Sequence, residues 1–216
     1  MAGGRDRPVR ILAVAGSLRR DSHNRALLRA AARLASDPVT VEVYEGLDLV
    51  PVFNEDLEDG SDEVPGVDAL RRALRTSDGL LIATPEYNQS VPGVTKNMID
   101  WLSRDNGLSG RPVAVIGAST GPWGTRIAQI VLRQMLLSAQ AAVMPHPTLF
   151  VPDVTSLLDS EGEVAAPQTV KRLQLVLSSF VDWIRLVSPP EDTTEPDHLS
   201  CLREPGSPLS ASPGRP

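Results

Sequence analysis

Two hydrophobic rhythms alternate along this chain. Short unbroken apolar runs, bounded by turn residues, give way to longer stretches whose apolar positions recur three and four residues apart. The runs at Val9–Ala15, Gly79–Ala83 and 112–117 read as strands, the first as one buried on both faces, and Val39–Tyr44 (VTVEVY) reads as the second strand in chain order. A short fifth strand is expected within 142–150, around Pro145 and Pro147. The longer stretches predict helices over 24–35, 66–76, 94–103, 125–141 and 170–187. In the first, Ala26, Leu27, Ala30, Ala31 and Leu34 share a face, while Arg25, Arg29 and Arg33 follow an i, i+4, i+8 row on another. Val94, Met98, Ile99 and Leu102 point inward from the third, with Trp101 near its charged end. Ile127, Ile130, Val131, Gln134 and Met135 gather on the fourth, and Val170, Leu173, Leu177, Phe180, Val181 and Ile184 line the last.

The alternation of strand and helix predicts an α/β domain with a doubly wound, five-stranded parallel sheet. Right-handed crossovers would place helices on both faces, giving three α/β/α layers. The acidic stretch 45–64 reads as a long connection. From Ser188 the composition shifts to Pro, Ser and acidic residues, too poor in large apolar side chains to offset the cost of ordering. The expected organisation is one domain over residues 1–187 and a disordered tail over 188–216. No internal repeat is visible.

Composition narrows the functional classes. The 216 residues include 41% hydrophobic ones, enough for one full core. A net charge of −6 argues against nucleic-acid binding by bulk electrostatics. No apolar run is long enough for a membrane span, and VRILAVAG is too short for a signal peptide. A single cysteine, Cys201, cannot form an internal disulfide, which fits a reducing cytoplasm. His23, His146 and His198 are scattered, without the spacing of metal ligands.

Candidate chemistry lies in three loops, each following a strand: AGSLRRDSHN (15–24), ATPEYNQSVPG (83–93) and GASTGPWG (117–124). In an open parallel sheet such loops converge at the carboxyl edge, where ligands bind. The first offers Ser17, Arg19, Ser22 and Asn24 before a helix N-terminus, a chemistry suited to a phosphate. It lacks the glycines of the Walker and dinucleotide-binding loops, so side-chain hydroxyls must do more of the binding, which favours a terminal monophosphate over a pyrophosphate. An ordinary strand-to-helix turn with an N-cap serine has the same pattern. In the second loop, Pro85 holds Thr84 extended and ends the strand. Exposed amides around Tyr87 and Asn88 could then meet the polar edge of a heterocycle, or Tyr87 could pack on a neighbour. In the third, Ser119, Thr120 and Gly121 offer a hydroxyl and open amides, Trp123 an aromatic wall, and Gly124 close approach. A Gly-rich turn with a tryptophan buried for packing is the alternative.

GSLRRDSHNR together with PEYNQSVPGVTKNMIDWLSR resembles the NADPH-dependent FMN reductase family, of flavodoxin-like fold, which includes quinone, chromate and azo reductases. The likeness extends over roughly residues 9–187. It implies FMN at the sheet edge, its phosphate held by Ser17, Arg19, Ser22 and Asn24. Pro85, Glu86, Tyr87 and Asn88 would lie along the isoalloxazine, mostly through backbone contacts, with Ser119, Thr120, Gly121, Trp123 and Gly124 on the other side. It also implies a homodimer, or a tetramer, formed partly by residues 90–101. Gln89 receives no role. Many relatives carry an arginine where this chain has Ile127, and the neighbouring Arg126 is not assigned its function.

No nucleophile–base pair is evident, as expected where a flavin does the hydride chemistry. His146, flanked by prolines and without a nearby acid, reads as structural. The expected activity is hydride transfer from NADPH or NADH to FMN, then reduction of a small-molecule electron acceptor such as a quinone or free flavin. A flavodoxin-type electron carrier without NAD(P)H turnover is one alternative, opposed by Arg19 in the phosphate loop. A non-enzymatic interaction protein on the same fold is another, opposed by the polarity of all three loops.

Overall fold

The computed structural model describes residues 7–58 and 63–188. The expected disordered tail therefore lies, apart from Ser188, outside the described residues. Six parallel strand segments build the sheet: β1 (Val9–Ala15), β2 (Val39–Tyr44), β3 (Gly79–Ala83), β4 (Pro112–Ala118), β5 (Ala142–Val143) and β6 (Leu149–Val151). Their order is β2-β1-β3-β4-β5, with β6 also on β4. β5 and β6 correspond to the single fifth strand of the sequence reading. Pro145 and Pro147 carry no amide hydrogen for the ladder, so pairing stops between them and resumes further along β4.

The helices are α1 (His23–Leu34), α2 (Glu55–Glu58), α3 (Pro65–Arg75), α4 (Gly93–Leu102), α5 (Arg126–Ser138) and α6 (Pro167–Val187). Alternation along β1 divides the core in two. Val9, Ile11, Ala13 and Ala15 pack with α1 and α6, whereas Leu12 and Val14 pack with α3, α4 and α5. Trp101, near the end of α4 as expected, is fully buried in the second half. Its indole N–H donates to the Pro51 carbonyl at 2.8 Å, and Phe53 meets its ring edge-on at 4.9 Å. These contacts pin the acidic connection, which contains a 3₁₀ turn at Leu47–Leu49 and the short α2 instead of running without structure.

On α5 the buried face is Ala128, Gln129, Leu132 and Leu136. Ile127 and Ile130, from the cluster expected on this helix, are exposed, and so is Leu137. The sequence carries two adjacent apolar stripes here, and the one with Ala128, Leu132 and Leu136 is turned to the sheet. Among the described residues no helix is long and apolar enough to cross a membrane, and no cluster of His, Cys, Asp and Glu could hold a metal ion.

Candidate functional site

The chain's progress across the sheet reverses at β1, which pairs with β2 on one side and β3 on the other. The loops leaving β1 and β3 diverge at this point and open a crevice beyond the strand ends. The loop leaving β4 borders it on the next strand. Hydrogen bonds from Gly16 N–H to the Ala83 carbonyl (2.9 Å), Thr84 N–H to the Ile116 carbonyl (3.0 Å) and Ser119 N–H to the Val151 carbonyl (3.0 Å) hold all three loop roots in register.

In the first loop, a Cβ on Gly16 would stand 2.2 Å from Thr95 Oγ1, so a side chain is excluded where the chain leaves the strand. The Ser17 hydroxyl is buried and accepts from Arg19 N–H at 3.4 Å. Ser22 is the N-cap of α1, accepting from Arg25 N–H at 3.2 Å. Both hydroxyls use only a lone pair in these bonds and retain a proton to donate. Arg19 is exposed beside them. Burial, and then the Arg19 charge, lower the His23 pKa from its ordinary 6.5, so this imidazole at the start of α1 is neutral at neutral pH.

Asn24 is placed differently. Its side chain is 3% exposed. Its amide nitrogen donates to the Ala118 carbonyl and its oxygen accepts from Ala118 N–H, both at 2.9 Å. The side chain thus fastens α1 to the end of β4, joining the first loop to the third.

The second loop is a tight hairpin. Tyr87 and Ser90 exchange both backbone hydrogen bonds at 3.0 Å, with Asn88 and Gln89 at positive φ (51° and 59°). Tyr87 and Asn88 are exposed, while Pro85 is buried beneath them. The Glu86 carboxylate turns away along the rim and accepts from Ile127 N–H (2.9 Å) and Ala128 N–H (3.0 Å). A carboxylate there satisfies two otherwise unpaired amides and complements the helix dipole of α5. Sequence spacing could not reveal this, because the partners are some forty residues apart in the chain.

The third loop is anchored to the segment after β6. Val154 N–H donates to the Ser119 carbonyl (3.1 Å) and Asp153 N–H to the Gly121 carbonyl (3.3 Å). Gly124, at φ 58°, lies so close to the backbone of Phe150–Pro152 that a Cβ would come within 2.9 Å. Gly121 has open space where a side chain would be, and Thr120 and Trp123 are exposed. Thr125, a β-branched residue at φ 67°, precedes α5 and is braced by Gln129, whose Nε2 donates to Thr125 Oγ1 (3.1 Å) and the Leu149 carbonyl (2.9 Å). The sequence reading gave neither residue this role. A Thr four residues ahead of an inward glutamine was the available signal.

The loops therefore combine a helix N-terminus with two hydroxyl donors and a cation, a hairpin with exposed central residues, and a rigid glycine-containing wall. Comparison with known proteins is in keeping with this. Residues 9–156 match the family model described as NADPH-dependent FMN reductase. The chain is 37% identical over 180 residues to a 2-hydroxy-1,4-benzoquinone reductase of Burkholderia sp, covering 82% of this chain and 97% of that protein. It is 34% identical over 182 residues to a quinone reductase of Escherichia coli strain K12, covering 83% and 97%. Among solved structures, the flavoenzyme NAD(P)H:(acceptor) oxidoreductase FerB of Paracoccus denitrificans superposes with a TM-score of 0.75 at 34% identity, covering 82% of this chain and 98% of that one.

Proposed function

This chain belongs to the NADPH-dependent FMN reductase family, and from that premise we propose how its three loops divide the work of a flavin enzyme. The protein is an NAD(P)H-dependent flavoprotein oxidoreductase that uses FMN. When bound, FMN supplies the redox chemistry, accepting hydride from the nicotinamide and passing the electrons to an acceptor. The residues present fit that group. A monophosphate needs several donors converging on one point, and Ser17, Ser22 and the backbone at the α1 N-terminus supply them, with Arg19 adding charge. That donor set is the observation that carries the assignment.

In this reading the Asn88 end of the hairpin meets the polar edge of the isoalloxazine, where N–H dipoles favour negative charge, the Tyr87 N–H being already bonded to Ser90. Ser119, Thr120 and Gly121 line the opposite flank. Asn24, Glu86 and Gly124 act through the backbone they hold, to β4, to the start of α5 and to Phe150–Pro152, and with buried Pro85 they organise the loops before the cofactor arrives. The acceptor is a small molecule, and we take it to be a quinone, the class named in the reductases of Burkholderia and Escherichia coli. The enzyme works as a homodimer or larger assembly through the outer faces of α4 and α5, where Ile130 and Leu137 are exposed beside a groove lined by Lys96, Ile99, Val131 and Met135. A single cysteine in the whole chain supports a cytoplasmic location.

The phosphate assignment is tested by titrating cofactor-free protein with FMN and with riboflavin. Arg19→Ala is expected to weaken FMN binding by about 10-fold or more, the size of a lost charge-assisted contact, and to leave riboflavin binding unchanged. An equal loss for both ligands, or for neither, contradicts it.

A further inference from the structure

Each of the three loops carries one large exposed side chain: Leu18 (51% exposed), Tyr87 (49%) and Trp123 (67%). Their strands, β1, β3 and β4, are consecutive in the sheet, so these side chains stand on adjacent loops around one crevice. Apolar groups gathered at a polar cleft mark a binding surface more than scattered exposure does. Trp123 differs from the protein's other tryptophans. Trp101 and Trp183 each donate the indole N–H to a backbone carbonyl at 2.8 Å, and Trp101 is fully buried. Trp123 lies in the third loop, beside exposed Pro122, and is the most exposed aromatic among the described residues.

The backbone beneath it is held rigidly. Gly124 is packed against Phe150–Pro152, the Gly121 carbonyl is bonded to Asp153 N–H, and the Trp123 carbonyl accepts from Arg126 N–H at 3.3 Å. On the facing side, the bonds from Ile127 and Ala128 to Glu86 hold the Tyr87 hairpin against the same helix start. An indole on a fixed loop pays little conformational entropy when a flat partner stacks on it. We propose that Trp123 is a specificity-determining residue on the acceptor side of the site, a stacking platform that selects planar aromatic quinones over acceptors without a ring face. This rests on the flavin-reductase reading. It moves Trp123 from the cofactor wall of the sequence reading to the substrate.

The test compares wild type, Trp123→Ala and Trp123→Phe with NADPH as donor and either 1,4-naphthoquinone or ferricyanide as acceptor. Naphthoquinone takes two electrons and two protons to become the hydroquinone, and each ferricyanide takes one electron and offers no ring to stack on. The ratio of kcat/KM for naphthoquinone to that for ferricyanide is expected to fall about 3- to 10-fold in Trp123→Ala, through KM, and to recover in Trp123→Phe. FMN affinity, measured by titrating cofactor-free protein, is expected to match wild type. An unchanged ratio overturns the proposal, as does weakened FMN binding in Trp123→Ala, which would return the side chain to the cofactor. Wild-type protein that oxidises NADPH with neither acceptor would instead remove the flavin-reductase reading on which the proposal rests.

Discussion

Asn24 illustrates how a residue can belong to a site without touching its ligand. Sequence position alone groups it with Ser17, Arg19 and Ser22 ahead of a helix, all of them polar and close in the chain. The fold then separates them: the two hydroxyls keep protons for a ligand, while the Asn24 amide exchanges a pair of hydrogen bonds with the Ala118 backbone. Glu86 likewise spends its carboxylate on the protein, capping the start of α5, and this leaves the backbone contacts expected of it open. Both residues reach backbone far away in the chain, and that pairing depends on which strands become neighbours. Asn24→Ala would leave a buried N–H and a buried carbonyl of Ala118 without partners. The expected cost is about 2–4 kcal/mol of stability, read by chemical denaturation of the cofactor-free protein. A loss below about 0.5 kcal/mol would mean that the bridge contributes nothing beyond ordinary surface contacts.

Strands were the most legible elements. β1 and β3 begin and end where their apolar runs do, because strands buried in a parallel sheet need little more than β-compatible residues between turn formers, and the edge strand β2 keeps its expected bounds with Thr40 and Glu42 turned to solvent. The fifth strand divides because proline removes ladder donors, and α5 turns an unexpected face to the core because two apolar stripes compete on it. The second loop was recognisable as a turn but not as a hairpin of this type. Both of its central residues adopt positive φ, which suits Asn88 and strains Gln89. Gln89→Gly is therefore expected to stabilise the protein by about 0.5–1 kcal/mol, measured by thermal or urea unfolding. Destabilisation would show that the glutamine side chain has a partner that outweighs its backbone cost.

At the scale of the molecule, reversal of strand order places the three loops at one edge, and the outer face of α5, with Ile130 and Leu137 exposed, is the face proposed for assembly. Ile130→Glu puts a charge into that exposed apolar face without touching the core. Sedimentation analysis is expected to show a shift toward monomer in the variant, and unchanged assembly would exclude this face as the interface. The central claim is that the crevice outside β1, β3 and β4 holds an FMN reduced by NAD(P)H. Its most direct test is the absorbance spectrum of the purified protein, recorded without air before and after adding NADPH or NADH. The account predicts flavin bands, present on isolation or after reconstitution with FMN, that bleach on addition of the nicotinamide and return when a quinone is added. A protein that stays colourless after incubation with FMN, or a bound flavin that neither nicotinamide bleaches, would contradict it.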